Sequence, residues 1–354
     1  MPIKSDNTKG NPYHDERNGE FTSKDGANSV SASTLFDTPD DFLKSFDVDN
    51  VDDFLNSLDS ESAEEKNGQD IFTPLTMPTS IEDAEKQGNR ILGSTNVVGY
   101  ADDTDLQVAN DYNQALQDVV RDFPKLFTNQ QLFLYGTKSR LNITEDSWFE
   151  KARKDVTELT NSPVYQKRLK KLNISSDEFI SRIVGSMTGY LRDHFITRLG
   201  TMGGLTRNVS LDKEKYGSDI TGCNTIAFNR QLSTTDASGL RDSYRKNNIW
   251  NGWILPLGKK SYTYYIATHE LGHHVYYRLA FLMNESEKNT LNKITGKDTF
   301  KLMETEQISR YARKSKLEQI AEAVSDVYCE KEYASKHNKK IYSILKKIYE
   351  RVYG

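Results

Sequence analysis

Polar and apolar positions follow two regimes along this chain. Up to residue 105 they hold neither a helical nor a strand period, whereas from 106 onward apolar residues recur at the spacings of regular elements. Leu106, Ala109, Tyr112, Leu116, Val119, Val120 and Phe123 keep the helical period and stop at Pro124, which predicts a helix over 106–127. The run Gln131-Leu132-Phe133-Leu134-Tyr135 before Gly136 reads as a short buried strand. Helices are expected over 145–172 and 176–199. The second opens with Ser175-Ser176 ahead of Asp177-Glu178, a cap signature, and carries Phe179, Ile183, Met187, Leu191 and Phe195 as a stripe. The glycine-bearing stretch 200–215 reads as loop. Thr225, Ala227 and Asn229 alternate with Ile226 and Phe228, which predicts a half-buried strand over 224–230. That strand is also the candidate edge for pairing with an extended peptide. A helix is expected over 261–283, and another near the C-terminus, where Ile341, Leu345, Ile348 and Val352 share one face.

Charge sharpens the division. The 354 residues carry 47 Lys and Arg against 51 Asp and Glu, but residues 1–105 hold 23 acidic and only 8 basic side chains. Rich in Ser, Asn, Thr, Asp and Gly, this section buries too little apolar surface to offset chain entropy, so 1–105 is expected to be an acidic, largely disordered region. Residues 106–354 are expected to form one domain, with a helical section at 143–200 and a chemical core at 220–335. Within the acidic region, Asp40-Asp41-Phe42-Leu43-Lys44-Ser45-Phe46 is echoed by Asp52-Asp53-Phe54-Leu55-Asn56-Ser57-Leu58. These read either as amphipathic helical turns or as motifs that lay Phe and Leu into the groove of a protein partner. The basic run 331–354 lacks interleaved recognition features, so a solvated helix face is expected rather than a nucleic-acid site. A third reading, drawn from the charge split, has the acidic region fold back onto the basic body and screen the site. No apolar run approaches the ~20 residues that cross a bilayer, and Met1 to His14 lack the apolar stretch of a secretory signal. Cys223 and Cys329 are too few for a disulfide framework and have no CxxC partner. The expected setting is therefore the reducing cytoplasm, or delivery into it by another machine.

The informative stretch is His269-Glu270-Leu271-Gly272-His273 within the expected 261–283 helix. Two imidazoles four residues apart lie on one helical face and supply two ligands to a tetrahedral zinc ion. Glu270, about 100° further round, misses the metal but reaches water bound to it, as a general base must. Leu271, Val275, Leu279 and Leu282 form the opposite stripe and seat the helix on a core. Gly272 costs roughly 1 kcal/mol relative to Ala inside a helix, which points to another element passing close by. His274 is expected to be hydrogen-bonded or exposed rather than a ligand. Tyr276 and Leu279 exclude the HExxHxxGxxH pattern, so the third ligand is expected from a later helix. Glu318 and Glu322, four apart, supply one ligand and one acceptor for the far N–H of a ligating histidine, with Ala321 and Ala323 keeping that helix slim.

HELGH at 269–273, Tyr311 in a Ser-x-Tyr-Ala setting and the Glu-x-x-Ala-Glu-Ala run at 318–323 resemble the anthrax-lethal-factor-like zinc metallopeptidases, of the HExxH-plus-distal-glutamate (gluzincin) type. The resemblance covers about a quarter of the chain, near 250–330. It implies an α+β, zincin-like domain with a small mixed sheet, an active-site helix and a helical C-terminal part. It also implies one Zn2+ per chain and endopeptidase activity on a protein or peptide. Glu318 is then the third ligand, Glu322 the acceptor behind a histidine, Glu270 the general base and Tyr311 a donor to the developing oxyanion. A rival reading takes Glu322-Ala323-Val324-Ser325-Asp326 as similar to the thermolysin-type Glu-x-x-x-Asp pattern, with Glu322 as ligand and Asp326 behind it. The segment 11–24 is similar to short openings of some bacteriophage structural and injected proteins, which implies a phage-encoded, virion-associated or host-delivered protease. The competing function is a non-catalytic virion or scaffold protein that keeps the zincin fold for partner binding.

Overall fold

A computed structural model describes residues 74–135, 141, 144–186, 204–206, 209–210, 221–222, 225–296, 299–305 and 308–354. The paired motifs at 40–46 and 52–58, the segment 11–24, Cys223, and Met187, Leu191 and Phe195 lie outside the described residues.

Helix α1 (Ile81–Ile91) begins at Ser80, whose hydroxyl accepts the Asp83 N–H at 3.1 Å. Buried Asn89 ties it to strand β1 (Val98–Gly99), accepting the N–H groups of Val97 and Val98 at 2.8 and 2.9 Å. Ala84, Val97, Val98, Tyr100 and Ala101 are all in the main core. The boundary expected at 105 therefore falls too late. Glu82 and Asp83 face outward while a small apolar set turns in, and an average over composition merges the two. Helix α2 (Leu106–Asp122) is capped by Asp105 and ends before Pro124, and β2 (Leu132–Tyr135) follows.

The helix expected over 145–172 is two: α3 (Glu145–Thr160) and α4 (Pro163–Leu172). Pro163 has no N–H to continue α3 and instead occupies the first turn of α4 behind the Ser162 cap. With α5 (Ser176–Ser186) they gather Trp148, Tyr165, Phe179 and Ile183 against Phe281 in a second core.

The stretch read as loop contains two strands, β3 (Gly204–Thr206) and β4 (Val209–Ser210). β4 pairs with β5 (Thr221–Gly222), while β6 (Thr225–Phe228) enters the main sheet, ordered β1-β2-β6-β3. β2 and β6 run parallel with Leu132 opposite Thr225, and β3 runs antiparallel to β6 with Gly204 opposite Phe228. β6 is thus interior, not the expected edge, and all four of its residues are buried. Ile226 and Phe228 face the main core and Ala227 the second core, so both faces are covered and the apparent alternation carries no solvent-exposed side, Thr225 and Asn229 being buried as well. Among the described residues β3 takes the edge position on the β6 side of the sheet, and β1 is the other edge.

Helix α6 (Ser238–Trp250) buries none of its residues, so no apolar stripe marked it. Then come α7 (Tyr262–Ala280), α8 (Glu285–Thr295), α9 (Thr299–Glu304), α10 (Lys316–Glu330) and α11 (Lys336–Tyr353). In α11 Ile341, Leu345 and Ile348 are buried, but its basic face is only partly given to solvent. Lys346 Nζ donates to the Asp122 carbonyl at 2.9 Å, and Arg351 pairs with Glu287. The fold is mixed α+β and mostly helical. No helix among the described residues is long and apolar enough to cross a membrane.

α7 organises the rest, packed chiefly against α10 and α2. Every residue of α7 except Tyr262 and Tyr276 is buried, so each polar side chain on it needs a partner. Thr263 donates to Asp111 at 2.6 Å, Tyr264 to Asp118 at 2.8 Å and Arg278 to Asp155 at 2.6 Å. His274 is fully buried with Nε2 3.0 Å from the Leu126 carbonyl oxygen, and burial, with Arg278 nearby, keeps it neutral. Among its other polar residues, His269 and His273 meet Glu318 of α10, and Glu270 meets Thr206 of β3.

Candidate metal centre

Two helices bring the ligand set together. α7 is fixed at its start by Ser261, whose hydroxyl accepts the Tyr264 N–H at 3.0 Å. α10 starts at Ser315, which accepts the Glu318 N–H at 3.2 Å and so places that glutamate in the first turn. They cross at Gly272, where an added Cβ would stand 3.0 Å from both Ala321 Cα and Val324 Cβ. The glycine and the slim Ala321 therefore let α10 approach, as their positions in the sequence suggest.

At that crossing Glu318 Oε2 lies 3.0 Å from His269 Nε2 and 3.4 Å from His273 Nε2, and all three atoms fall within 4.8 Å of one another. A tetrahedral ion with bonds of about 2.0–2.1 Å spaces its ligands about 3.4 Å apart; the two glutamate–histidine spacings are near that value, while the widest spacing in the set has to close toward it for all three to share one cation. Two neutral nitrogens and one carboxylate oxygen form a three-ligand set that leaves a fourth position for water or substrate.

Glu322, 3% exposed, does not join that set. Its Oε1 faces His269 Nδ1 at 2.8 Å and accepts from the Tyr265 hydroxyl, while its Oε2 accepts from Ser309 at 2.7 Å. With the proton of His269 on Nδ1, the lone pair of Nε2 is turned toward Glu318 and the site of the cation. Asp326 is not brought to the histidines: its Oδ2 accepts from Asn338 at 2.8 Å and from the Ser335 N–H at 3.0 Å. The thermolysin-type alternative for Asp326 fails on this geometry, because one further turn of α10 carries the side chain past α7 to the start of α11.

Without a cation, burial opposes the charge on both Glu318 and His269, yet mutual attraction prevails. The imidazoles of His273 and His269 hold the Glu318 carboxyl far below its ordinary value, and the two glutamates raise His269 well above its own. The metal-free site thus pairs the two imidazoles with the Glu318 carboxylate. Among the described residues, His269, His273 and Glu318 are the group of three side chains placed so that they could hold a metal ion.

Comparison of the chain with protein-family models, with curated proteins and with solved structures gives no match. What the site can do is therefore argued from its geometry.

Glu270 is on the adjacent face, 7% exposed, with its carboxyl raised by burial against the lowering pull of the two histidines and of a hydrogen bond from Thr206. Tyr311 sits on a single turn of helix (Tyr311–Arg313) whose start is fixed to the loop after α6: Arg310 N–H donates to the Gly252 carbonyl at 2.9 Å and Tyr311 N–H to that of Trp253 at 3.1 Å. Its ring centre is 5.5 Å from that of His269. Burial, then Glu318 and Glu270, push its phenol well above the ordinary value, so it remains a protonated donor. Ser309 links the parts, donating to Glu322 while accepting the Ala312 N–H at 3.1 Å.

Three residues of this site were not singled out from the sequence. Tyr265 stands one turn before His269 on the same face, a spacing that could have flagged it. Ser309 entered only as the serine of the Ser-x-Tyr-Ala setting, with no role of its own, and Thr206 had no such signal, since it reaches the site only through chain folding.

Proposed function

We propose that this chain is a zinc-dependent endopeptidase with a zincin-like domain, and that His269, His273 and Glu318 hold one Zn2+. The observation that carries the reading is the convergence of these three donors beside a buried carboxylate that is not one of them. A bound zinc ion supplies a Lewis acid that acidifies water and polarises a peptide carbonyl. Glu270 takes the proton of the attacking water and returns it to the leaving amine. A carboxyl raised by burial suits both halves of that task, because it binds a proton more readily than an exposed glutamate and still releases it to an amine. The Tyr311 hydroxyl donates to the carbonyl oxygen as it becomes negative. Glu322 holds His269 in the tautomer that coordinates. The edge strand next to Glu270 is β3, so an extended substrate pairs there rather than along 225–228.

The test is zinc content together with cleavage of a general protein substrate, comparing wild type with Glu270→Gln. The expected result is about one zinc per chain in both and a loss of turnover of about 10²–10⁴ in the variant. Equal turnover refutes the assignment of the base. Bound zinc with no cleavage by wild type supports the scaffold reading instead.

A further inference from the structure

Glu270 is gripped from a strand that has no role in the metal set. Thr206 on β3 is buried and places its hydroxyl 2.6 Å from Glu270 Oε2 and 2.8 Å from the backbone carbonyl oxygen of the same residue. A hydroxyl has one proton to give, and an ionised carboxylate is the stronger acceptor, so the proton goes to Oε2. Two residues earlier on the same face of the strand, Gly204 lies so close that a Cβ there would stand 2.7 Å from Glu270 Cγ and 2.9 Å from Oε1. Gly204 is not among the positive-φ glycines, so the backbone does not demand glycine. The space that a side chain would fill is taken by the carboxylate.

We propose that Thr206 and Gly204 are positioning residues for the general base, Thr206 occupying Oε2 so that Oε1 is the oxygen that takes and returns the proton. Among the described residues Oε1 receives no hydrogen bond, whereas Oε2 is engaged. A glutamate side chain has considerable rotamer freedom, and a base that samples several directions is in place only part of the time. The grip is itself held firmly: Thr206 pairs opposite Ile226, and Gly204 opposite Phe228, on the buried interior strand. The carboxylate is thus fixed to the sheet, while the ligands are fixed by the two crossing helices, and the base and the cation keep their separation. Protonation of Oε1 leaves the Thr206 bond to Oε2 intact, so the grip survives the proton transfer.

The inference rests on the metallopeptidase reading, and the experiment separates the two. Full-length wild type, T206V, T206S, G204A, E270Q and the double variant T206V/E270Q are compared for zinc per chain, melting temperature, kcat and KM on a protein substrate. Crystal structures of wild type, T206V and T206S give the Glu270 rotamer. T206V keeps the branched shape and loses the hydroxyl; the expected result is a fall in kcat of about tenfold to a hundredfold, the scale of one hydrogen bond to a charged group. Zinc content and KM stay at the wild-type level and Glu270 leaves its rotamer. T206S recovers most of the loss and keeps the rotamer. G204A lowers kcat with zinc retained, since the flexible carboxylate moves before the backbone does. In the E270Q background T206V has little further effect, because the residue it positions is gone. Wild-type kcat in T206V, an unchanged Glu270 rotamer, or an equal loss with and without Glu270 overturns the proposal. An inactive wild type, or E270Q as active as wild type, overturns the metallopeptidase reading itself and this inference with it.

Discussion

Truncation of the two glutamates of α10 should have opposite consequences for stability and for metal binding. Glu322 is 3% exposed and accepts from three donors, His269 Nδ1, Tyr265 and Ser309, on two oxygens. Glu322→Ala leaves those donors without an acceptor in a space too small for full hydration. At about 1–3 kcal/mol for each buried group, less the cost of burying the lost charge, the loss is about 3–6 kcal/mol. That is a large share of the 5–15 kcal/mol typical of a folded domain. The Glu318 side chain is 20% exposed and meets only two nitrogens, so Glu318→Ala leaves fewer buried groups unpaired and costs less, about 1–3 kcal/mol in the metal-free protein. For zinc the order reverses. Removing a ligand costs more than removing the group that orients one, for which about 10–100-fold is typical. The assay is urea unfolding in the presence of a chelator, followed by zinc competition on the folded variants. Glu322→Gln serves where the alanine variant does not fold: its oxygen keeps His269 and Tyr265, its amide donates to Ser309, and the loss falls to about 1–2 kcal/mol. The reasoning is refuted if Glu318→Ala is as unstable in chelator as Glu322→Ala, or if zinc is lost only with Glu322.

Three further outcomes are expected. Burial raises the Asp326 carboxyl to about 6 even though Asn338 and Ser335 donate to it, so the stability it contributes is full below about pH 4 and lost as pH rises through 6, about 3 kcal/mol in all. Both donors use Oδ2, which Asp326→Asn retains as its amide oxygen; the variant should exceed wild type by about 1–3 kcal/mol at pH 8, the gap closing toward pH 4. Taking the difference between the two proteins removes the acid loss from neutral His274, which runs the other way and is common to both. Gly272→Val should push α10 away from α7, costing about 1–3 kcal/mol by overpacking and weakening zinc binding through the displaced Glu318; wild-type zinc affinity with an unchanged melting temperature would contradict the crossing. Tyr311→Phe should lower kcat about 10–100-fold at unchanged KM and zinc content, measured on the same protein substrate.

Local patterns made much of this protein legible in advance. The periods over 106–127 and 261–283 marked α2 and α7, and the four-residue spacing of His269 and His273 placed both imidazoles on one face before any tertiary contact was known. Gly272 announced a close neighbour, and Glu318 and Glu322 were identified as a pair without the sequence alone assigning their separate tasks. Those properties depend on residues within a turn or two of each other, which a linear chain carries intact. The rest depended on packing between distant segments. Asp326 follows Glu322 by one turn, and only the crossing of α7 and α10 decides that it faces Ser335 and Asn338 instead of a histidine. Strand β6 lost its expected edge because three residues in a stretch read as loop, Gly204 to Thr206, pair beside it. A strand that short has no period to detect, and its hydroxyl meets Glu270 across 64 residues of sequence. Helix α1 was hidden by the acidic face that it turns to solvent. What a residue will touch is set by the layer that folds over it, and that information is distributed along the whole chain.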